Sequence, residues 1–362
     1  MPFARLQFVI PFIIHIKHIK EISMTHSKKI IVTGGAGYIG SHTAVALIQN
    51  GFDVVILDNL INSSSASIDG IERITGTRPI FEQTDCTDAN AMHDVFSRHS
   101  DAGGVIHFAA LKAVGESVAM PLKYYRNNLV SLINTLEMMS EFNIPNIVFS
   151  SSATVYGDPD TLPVTEDTPL KPATSPYGQT KVMGENIIRD AVRANPAMHA
   201  TLLRYFNPIG AHPSGQIGEL PNGVPNNLLP FITQTAAGIR EKLSVFGNDY
   251  NTPDGFCVRD YIDINDLADA HVAAMRHMMT QADGVSVYNL GTGHGVSVME
   301  MIDAFERATG IQIKYEIAPR RPGDVPAIWA DAARANNVLG WHAHRELTET
   351  LRNAWNWQKN CQ

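Results

Sequence analysis

Two side chains that could carry out proton transfer, Tyr177 and Lys181, lie four residues apart. On a helix this spacing places them on one face, one turn apart, and Ser175 and Pro176 fit the cap and first turn of such a helix. Lowering the tyrosine pKa from about 10 by about 3 units requires roughly 4 kcal/mol. A cation about 4 Å away supplies that order of energy at an effective dielectric constant of about 20. The pair is therefore a candidate base, although many exposed helices carry the same spacing.

A glycine-rich turn near the start of the chain is typical of dinucleotide binding. It joins an apolar strand over 29–33 to a helical pattern over 41–50, and it contains G-x-G-x-x-G at 35–40. The next strand, 53–58, ends in Asp58. Such glycines let the backbone approach a pyrophosphate at a helix N-terminus, and the acid accepts hydrogen bonds from ribose hydroxyls. Because Asp58 would repel an additional phosphate, the pattern favours NAD over NADP.

Strands and helices continue to alternate after this unit. The sequence predicts further strands at 78–84, 104–110, 146–152 and 201–206, and helices at 90–98, 121–142 and 176–194. The fold class is therefore α/β, a Rossmann-type doubly wound parallel sheet covered on both faces. Ligands of such sheets bind beyond the carboxyl ends of the strands. We expect the residues at these ends to converge on one crevice: 34–40, Asp58, Asp85, 108–112, Ser152 and 206–207.

The second part of the chain has shorter elements and more loops. Residues 208–229 are rich in Gly, Pro and Asn, short strands are predicted at 243–246 and 287–290, and helices near 230–240, 264–279, 297–309 and 345–358. We expect a Rossmann domain over 29–208, to which 258–292 partly returns. A smaller, interlaced substrate-binding domain would comprise 209–257 and 293–358.

Composition excludes several classes of protein. The 362 residues are 44% hydrophobic and 18% charged, with a net charge of −8, which is typical of a globular protein and argues against a nucleic-acid surface. Cys86, Cys257 and Cys361 lie far apart and form neither a disulfide framework nor a metal-ligand pattern. We therefore expect no metal site and a reducing compartment, the cytoplasm.

The first 28 residues differ from the rest of the chain. Their apolar run over 8–16 is too short to span a bilayer, and no small-x-small cleavage site follows it. We expect a disordered extension or a misassigned start, with Met24 as the true first residue. A membrane-tethering segment is the less favoured alternative.

Longer motifs occur in order from residue 29 to residue 358. They are TGGAGYIGSH at 33–42, LDNL at 57–60, VIHFAALKAVGESV at 105–118, SSSATVYGD at 150–158, SPYGQTK at 175–181, LLRYFNPIGAHPSG at 202–215, FGNDY at 246–250, VRDYI at 258–262, YNLG at 288–291 and APRRPGD at 318–324. On these motifs the chain resembles the UDP-glucose 4-epimerase family, also called UDP-galactose 4-epimerases, of the extended short-chain dehydrogenase/reductase superfamily.

The resemblance implies a role for each matching position. Ser152, Tyr177 and Lys181 match the catalytic triad and also contact the ligands. The other positions implied to bind NAD are Gly34, Gly37, Tyr38, Ile39, Gly40, Asp58, Asn59, Asn62, Ser63, Asp85, Cys86, Phe108, Ala109, Lys112, Asn127 and Phe206. The other positions implied to surround a UDP-sugar are Asn207, Asn227, Leu228, Val245, Phe246, Arg259, Arg321, Asp324 and Ile328.

The resemblance also implies a reaction. Tyr177 would act as base on the sugar 4-hydroxyl while a hydride leaves carbon 4 for NAD, and Lys181 would lower the tyrosine pKa and hold the nicotinamide ribose. Ser152 would hydrogen-bond the reacting oxygen. The 4-keto sugar would turn over in the pocket and receive hydride on its other face, so NAD would stay tightly bound. A homodimer formed through helices of the NAD domain and a role in galactose metabolism are expected.

Several alternatives remain at this point. Related 4,6-dehydratases carry an Asp-Glu pair after the strand-five hydroxyl, where this chain has Ala153 and Thr154, so elimination of water would lack its acid and base. Ile328 stands where family members restricted to glucose and galactose often have tyrosine. Its intermediate size leaves open UDP-N-acetylglucosamine and UDP-N-acetylgalactosamine as substrates, and core packing is the alternative role. A non-catalytic NAD-binding regulator, which usually lacks the tyrosine or lysine, and a dehydrogenase with net redox turnover are further possibilities.

Overall fold

The structure is a computed structural model that describes residues 28–281, 284–321 and 324–361. The expectations for residues 1–27 lie outside these ranges. The strands are β1 (Lys29–Thr33), β2 (Asp53–Asp58), β3 (Ile80–Gln83), β4 (Gly104–His107), β5 (Asn146–Ser150), β6 (His199–Tyr205), β7 (Asn207–Ile209), β8 (Leu243–Phe246), β9 (Val258–Arg259), β10 (Tyr261–Asp263), β11 (Val285–Leu290), β12 (Val296–Ser297), β13 (Tyr315–Ala318) and β14 (Ala327–Ile328).

Helices alternate with these strands along the chain. They are α1 (Tyr38–Gln49), α2 (Ala66–Thr75), α3 (Ala89–Arg98), α4 (Val114–Ala119), α5 (Pro121–Glu141), α6 (Pro176–Ala194), α7 (Leu228–Ala236), α8 (Ile264–Thr280), α9 (Val298–Thr309), α10 (Ala333–Leu339) and α11 (Leu347–Asn360). A short 3₁₀ turn, Ala153–Tyr156, follows β5. Among the described helices, none combines the length and the apolar character needed to cross a bilayer.

A parallel sheet of seven strands forms the centre of the molecule, in the order β11-β6-β5-β4-β1-β2-β3. Its apolar strands are buried on both faces, and neighbouring residues alternate between them. Ile30 and Val32 of β1 belong to one buried cluster, whereas Ile31 belongs to the other. Helices α1, α2 and α8 cover the first face, and α3, α5 and α6 cover the second. The predicted doubly wound α/β class is confirmed.

Smaller sheets and three helices build the part of the molecule beside the carboxyl ends of these strands. β13 pairs with β8, β7 pairs with β10, and β9 lies between β12 and β14. Helices α7, α9 and α11 pack on β8 and on one another around a separate apolar cluster that includes Phe305 and Leu351. The chain therefore places a second layer of structure over the edge at which parallel sheets bind ligands.

The element bounds differ from the prediction in a few informative places. β5 ends at Ser150 instead of residue 152, because Ser152 leaves the strand and its side chain caps the 3₁₀ turn. Helix α2 was not predicted, and its Gly70 weakens a helical pattern. A Cβ atom at Gly70 would lie 2.5 Å from the Ile217 side chain, so the glycine is required by close packing. α1 begins at Tyr38, three residues earlier than predicted.

Candidate active site

A cleft of about 1350 Å³ opens at the carboxyl ends of the central strands, where the sequence predicted a crevice. It brings together the predicted site residues, with three exceptions. Leu228 begins α7 next to the cleft, Val245 is buried in the apolar cluster around α9, and Phe246 lies under the Arg321 guanidinium at 5.0 Å. One cleft therefore contains the glycine turn, the Tyr177 helix and the arginines.

The glycine turn between β1 and α1 is tightly folded. Gly34 has a φ of +68°, and its N–H donates to the Leu57 carbonyl at 2.7 Å. A Cβ atom at Gly40 would lie 2.4 Å from the Gly34 oxygen, so no side chain fits there. Gly37 precedes α1 and provides no side-chain cap for its N–H groups. The turn therefore presents a cradle of backbone donors of the kind that holds a pyrophosphate.

Asp58 at the end of β2 is held in one orientation by three donors. Its Oδ2 accepts the Ala36 N–H at 3.1 Å, and its Oδ1 accepts the Leu60 N–H at 2.9 Å and the Ser63 hydroxyl at 2.8 Å. The carboxylate lies at the wall of the cleft, 8% exposed. Its fixed negative charge suits a ribose with free hydroxyls, and a 2′-phosphate would be repelled.

Asp85, which follows the neighbouring strand β3, is also held by hydrogen bonds. Asp85 accepts the Thr87 N–H at 2.8 Å and the Asn59 amide at 3.1 Å. Cys86 beside it is buried, and burial raises the pKa of its thiol to about 12. The thiol is therefore inert, and Cys86 contributes shape and backbone to this end of the cleft.

The Tyr177 helix begins as predicted. Ser175 accepts the Gly178 N–H at 3.1 Å, and Pro176 occupies the first turn. Lys181 is buried, and its ammonium donates to the Ser150 carbonyl at 2.5 Å. The Lys181 nitrogen lies 5.8 Å from the centre of the Tyr177 ring. The two side chains share one helix face and one cleft, so the predicted pairing in space is present.

The predicted effect of Lys181 on the tyrosine is wrong for this arrangement. Burial raises the pKa of Tyr177 to about 12, and hydrogen bonding to the Ser152 hydroxyl offsets only part of this rise. Burial also lowers the pKa of Lys181 to about 8. Desolvation is the largest cause of both shifts, and the Lys181 ammonium is directed to the Ser150 carbonyl. A low tyrosine pKa therefore requires a further positive charge in the cleft.

Ser152 stands opposite Tyr177 at the end of β5. It is 8% exposed, and its hydroxyl accepts the Thr154 N–H at 3.2 Å. The same hydroxyl is hydrogen-bonded to Tyr177, so the two groups meet in the cleft. Ala153 and Thr154 also line the cleft, so no carboxylate follows Ser152 at this wall.

A buried ionic network behind the catalytic helix was not predicted. Glu185, fully buried, accepts the Ser151 hydroxyl at 2.6 Å and pairs through both oxygens with Arg204 of β6, at 2.7 and 2.8 Å. Glu185 follows Lys181 by four residues, and this spacing was the available sequence signal. The network fixes α6 against the strand ends that carry Ser150 and Ser152.

The far end of the cleft is cationic and partly apolar. Arg259 lies 3.6 Å from the Asp324 carboxylate, and Arg321 also lines this end. Ile328 reaches the cleft but is only 7% exposed and belongs to a buried cluster with Val155. Two guanidinium groups at one end suit a diphosphate.

Glu219, which was also not predicted, connects the two halves of the cleft. Its Oε1 accepts the Lys112 ammonium at 3.2 Å and the Asn227 amide at 2.7 Å. Lys112 lies 5.9 Å from the Tyr38 ring, in the half formed by the glycine turn. No pattern singles out an acid within the loop-rich stretch 208–229, so only the fold reveals its position.

Comparison with known proteins gives consistent results. A family model described as GDP-mannose 4,6 dehydratase matches residues 31–354. The UDP-glucose 4-epimerase of Bacillus subtilis is 54% identical over 331 residues, covering 91% of this chain and 97% of the relative. The UDP-glucose 4-epimerase of Erwinia amylovora is 52% identical over 329 residues, with the same shares covered.

Solved structures agree with these relatives. UDP-glucose 4-epimerase from Bifidobacterium longum, in complex with NAD⁺ and UDP, has a TM-score of 0.89 and 48% identity, covering 92% of this chain and 98% of that one. The enzyme from Stenotrophomonas maltophila, with bound NAD and formylated UDP-arabinopyranose, has a TM-score of 0.89 and 47% identity over the same shares. Structure and sequence therefore single out the same group of proteins.

Proposed function

The chain belongs to the UDP-glucose 4-epimerase family of the extended short-chain dehydrogenase/reductase superfamily, and on that premise we propose how its cleft works. The enzyme is an NAD-dependent isomerase that inverts carbon 4 of UDP-glucose to give UDP-galactose, and it also catalyses the reverse reaction. The observation that carries this proposal is the cleft itself, in which the glycine turn, Ser152, Tyr177, Lys181 and the two arginines line one volume.

NAD fits the residues at the glycine-turn end. The turn folds tightly enough that a Cβ atom at Gly40 would lie 2.4 Å from the Gly34 oxygen, and Asp58 is oriented for ribose hydroxyls. Lys181 would hold the nicotinamide ribose, and Asp85, Asn127 and Lys112 would line the remaining length of the cofactor. When bound, NAD supplies a positively charged nicotinamide ring and an acceptor for the hydride of carbon 4.

Tyr177 is the proposed base. As the phenolate, Tyr177 would take the proton of the sugar 4-hydroxyl as carbon 4 is oxidised, and as the neutral phenol it would return that proton when carbon 4 is reduced from the other face. Ser152 donates a hydrogen bond to the reacting oxygen, and the positive charge of the bound nicotinamide would stabilise the phenolate. Since no net oxidation remains, the cofactor is regenerated in each turnover.

The UDP-sugar is assigned to the opposite end of the cleft. Arg259 and Arg321 would bind the diphosphate, and Asn207, Asn227 and the start of α7 would complete the site. We propose that segments 209–257 and 293–358 form this substrate-binding domain, over an NAD domain that comprises 29–208 and part of 258–292. The backbone donors of the glycine turn at one end and the two arginines at the other would then each face a pyrophosphate in one cleft.

The alternative activities are less consistent with this cleft. A 4,6-dehydratase would require an acid and a base where Ala153 and Thr154 lie. Ile328 packs in a buried cluster, which favours its structural role over a role in accepting N-acetylated sugars. A non-catalytic NAD-binding protein does not need the Ser152–Tyr177–Lys181 arrangement.

We further propose a cytoplasmic homodimer that supplies UDP-galactose in galactose metabolism. Helices α5 and α6 pack together and carry exposed apolar side chains: Leu122 is 80% exposed, Ile133 38% and Met183 36%. Large apolar side chains at helical spacing on one surface are typical of a subunit interface. The three cysteines are unpaired, which suits the cytoplasm.

Product identification tests the proposed function. Purified protein is incubated with UDP-glucose without added oxidant or reductant. The nucleotide sugars are then separated, and their masses are measured by mass spectrometry. We expect UDP-galactose of unchanged mass and no net NADH. A product that has lost water would establish a dehydratase, and stoichiometric NADH would establish a dehydrogenase; either result contradicts the proposal.

A further inference from the structure

Asp260 is a fully buried residue in the one-residue gap between β9 and β10. Its Oδ1 accepts the Thr292 N–H at 2.8 Å and the Thr292 hydroxyl at 2.7 Å. Its Oδ2 accepts the Gly293 N–H at 3.2 Å and the Ala330 N–H at 3.1 Å. A Cβ atom at Gly291 would lie 2.4 Å from Oδ2, so the loop after β11 is folded directly against the carboxylate. Four donors from two other segments therefore converge on this one side chain.

The backbone of Asp260 is bonded to strands at the end of the cleft that we assign to the UDP-sugar. Its N–H donates to the Ile328 carbonyl at 3.2 Å, and its carbonyl accepts the Asn207 N–H at 3.0 Å. Both of these partners line the cleft. The preceding residue is Arg259, whose ionic partner Asp324 lies shortly before β14. Asp260 therefore ties together β7, β9 and β14, which carry three residues of this end of the cleft.

The negative charge of Asp260 has a cost that packing alone does not explain. Burial raises the pKa of its carboxyl, and the hydrogen bonds from Thr292, Gly293 and Ala330 oppose this rise. All four donors are uncharged, and burying a carboxylate without a cation is expensive. An asparagine would fill the same space without a charge, but its NH₂ group would face two of the donors. The aspartate is thus the residue type that accepts on both oxygens.

From this geometry we propose that Asp260 is a positioning residue for the UDP-sugar. By binding Ala330 on one side and the loop after β11 on the other, its carboxylate fixes β14 against β9. The β9–β14 pair in turn holds the Arg259 guanidinium beside Asp324, in the place assigned to the diphosphate. The bonded partners of Asp260 lie outside the glycine turn and α6, so the NAD site does not depend on them. This inference rests on the proposed function, since it assigns a role within the proposed UDP-sugar site.

Thr292 offers a mild test, because it is exposed and its hydroxyl can be removed without disturbing the core. Thr292→Val lacks the hydroxyl donor, whereas Thr292→Ser retains it. We expect Thr292→Val to lower the affinity of the NAD-loaded enzyme for UDP, measured by titration calorimetry, about threefold, and to raise KM for UDP-galactose by a similar factor. We expect kcat to stay within about twofold of wild type, because Ser152 and Tyr177 are untouched. Thr292→Ser should keep UDP affinity within about 1.5-fold of wild type.

Asp260→Asn is the stronger variant, since its amide turns an N–H₂ group towards backbone donors. We expect the affinity for UDP to fall at least about tenfold, while the affinity of nucleotide-free protein for NAD stays within about threefold of wild type. Thr280→Val serves as the matched control and should leave both affinities unchanged. It removes an exposed hydroxyl that donates to the His277 carbonyl at the end of α8.

Three outcomes would overturn the inference. They are unchanged UDP affinity in Thr292→Val, equal losses in Thr292→Val and Thr292→Ser, or equal losses of UDP and NAD affinity in Asp260→Asn. If Asp260→Asn does not fold, the two Thr292 variants decide the question. If wild-type protein binds no UDP, the proposed function itself fails, whereas wild-type binding with an unaffected Thr292→Val variant overturns only the role of Asp260.

Discussion

At the scale of single residues, the cleft contains two ionisable groups whose burial opposes their function. Burial raises the pKa of Tyr177 to about 12 and lowers that of Lys181 to about 8. Each shift disfavours the charged form that proton transfer needs. The positive charge of an oxidised nicotinamide would favour the Tyr177 phenolate and disfavour the Lys181 ammonium, so the tyrosine becomes an effective base only in the complete site. The Tyr177–Lys181 spacing was visible in the sequence, but the burial that governs both pKa values was not.

The free-energy cost of burying the Lys181 charge can be measured as a loss of protein stability. Its pKa is about 8 in the fold and 10.5 in the unfolded chain, so the charge destabilises the fold fully below pH 8. Between pH 8 and 10.5 the unfolded state binds more protons, and stability rises with pH. Nucleotide-free Lys181→Met should therefore be more stable than wild type at pH 7 by roughly 2 kcal/mol, an advantage that shrinks towards pH 10. Denaturant unfolding at several pH values measures this difference.

Lys314→Met, at an exposed lysine, provides the control for this experiment. A wild-type protein that is at least as stable as Lys181→Met at pH 7 would show that the fold compensates the buried charge. The account of Lys181 would then be incorrect.

At the scale of elements, the sequence predicted the strands and helices whose patterns are locally strong. The strand–turn–helix around Gly34 and the helix that starts at Pro176 agree with the structure because apolar period, glycine spacing and capping residues coincide. Helix α2 escaped prediction because Gly70 is dictated by contact with Ile217, which lies far away in sequence. Glu185 and Glu219 escaped for the same reason, since their partners come from other elements.

The outward faces of α5 and α6 carry the proposed dimer interface. Replacing Leu122 and Ile133 together by lysine places two charges in that interface, where burial of unpaired charge is costly. We expect a shift from dimer to monomer, measured by light scattering during gel filtration at micromolar concentration. The control Val338→Lys, at a residue of α10 that is 45% exposed, should leave the dimer intact.

A wild-type protein that elutes as a monomer would contradict the proposed dimer. A dimer that survives the double substitution would show that a different surface forms the interface.

At the scale of the whole molecule, the fold places two charged ligand sites in one cleft between the central sheet and the smaller sheets. The crevice was predictable, because parallel strands end at one edge and the site residues follow those ends. The contacts that cross it were not, since Arg259, Asp324 and Glu219 reach the cleft only through the packing of β9, β14 and α11. Sequence patterns thus identified the residues of the site, and tertiary packing determined how these residues are held together.

We propose that Tyr177 transfers the proton during the reversible oxidation of carbon 4. The most direct measurement compares the rate of UDP-galactose conversion to UDP-glucose by wild type and Tyr177→Phe, each loaded with NAD and saturated with substrate. The account predicts a loss of kcat of about 10³-fold in the variant, with UDP affinity within about threefold of wild type. A Tyr177→Phe enzyme that keeps kcat within tenfold of wild type would contradict it.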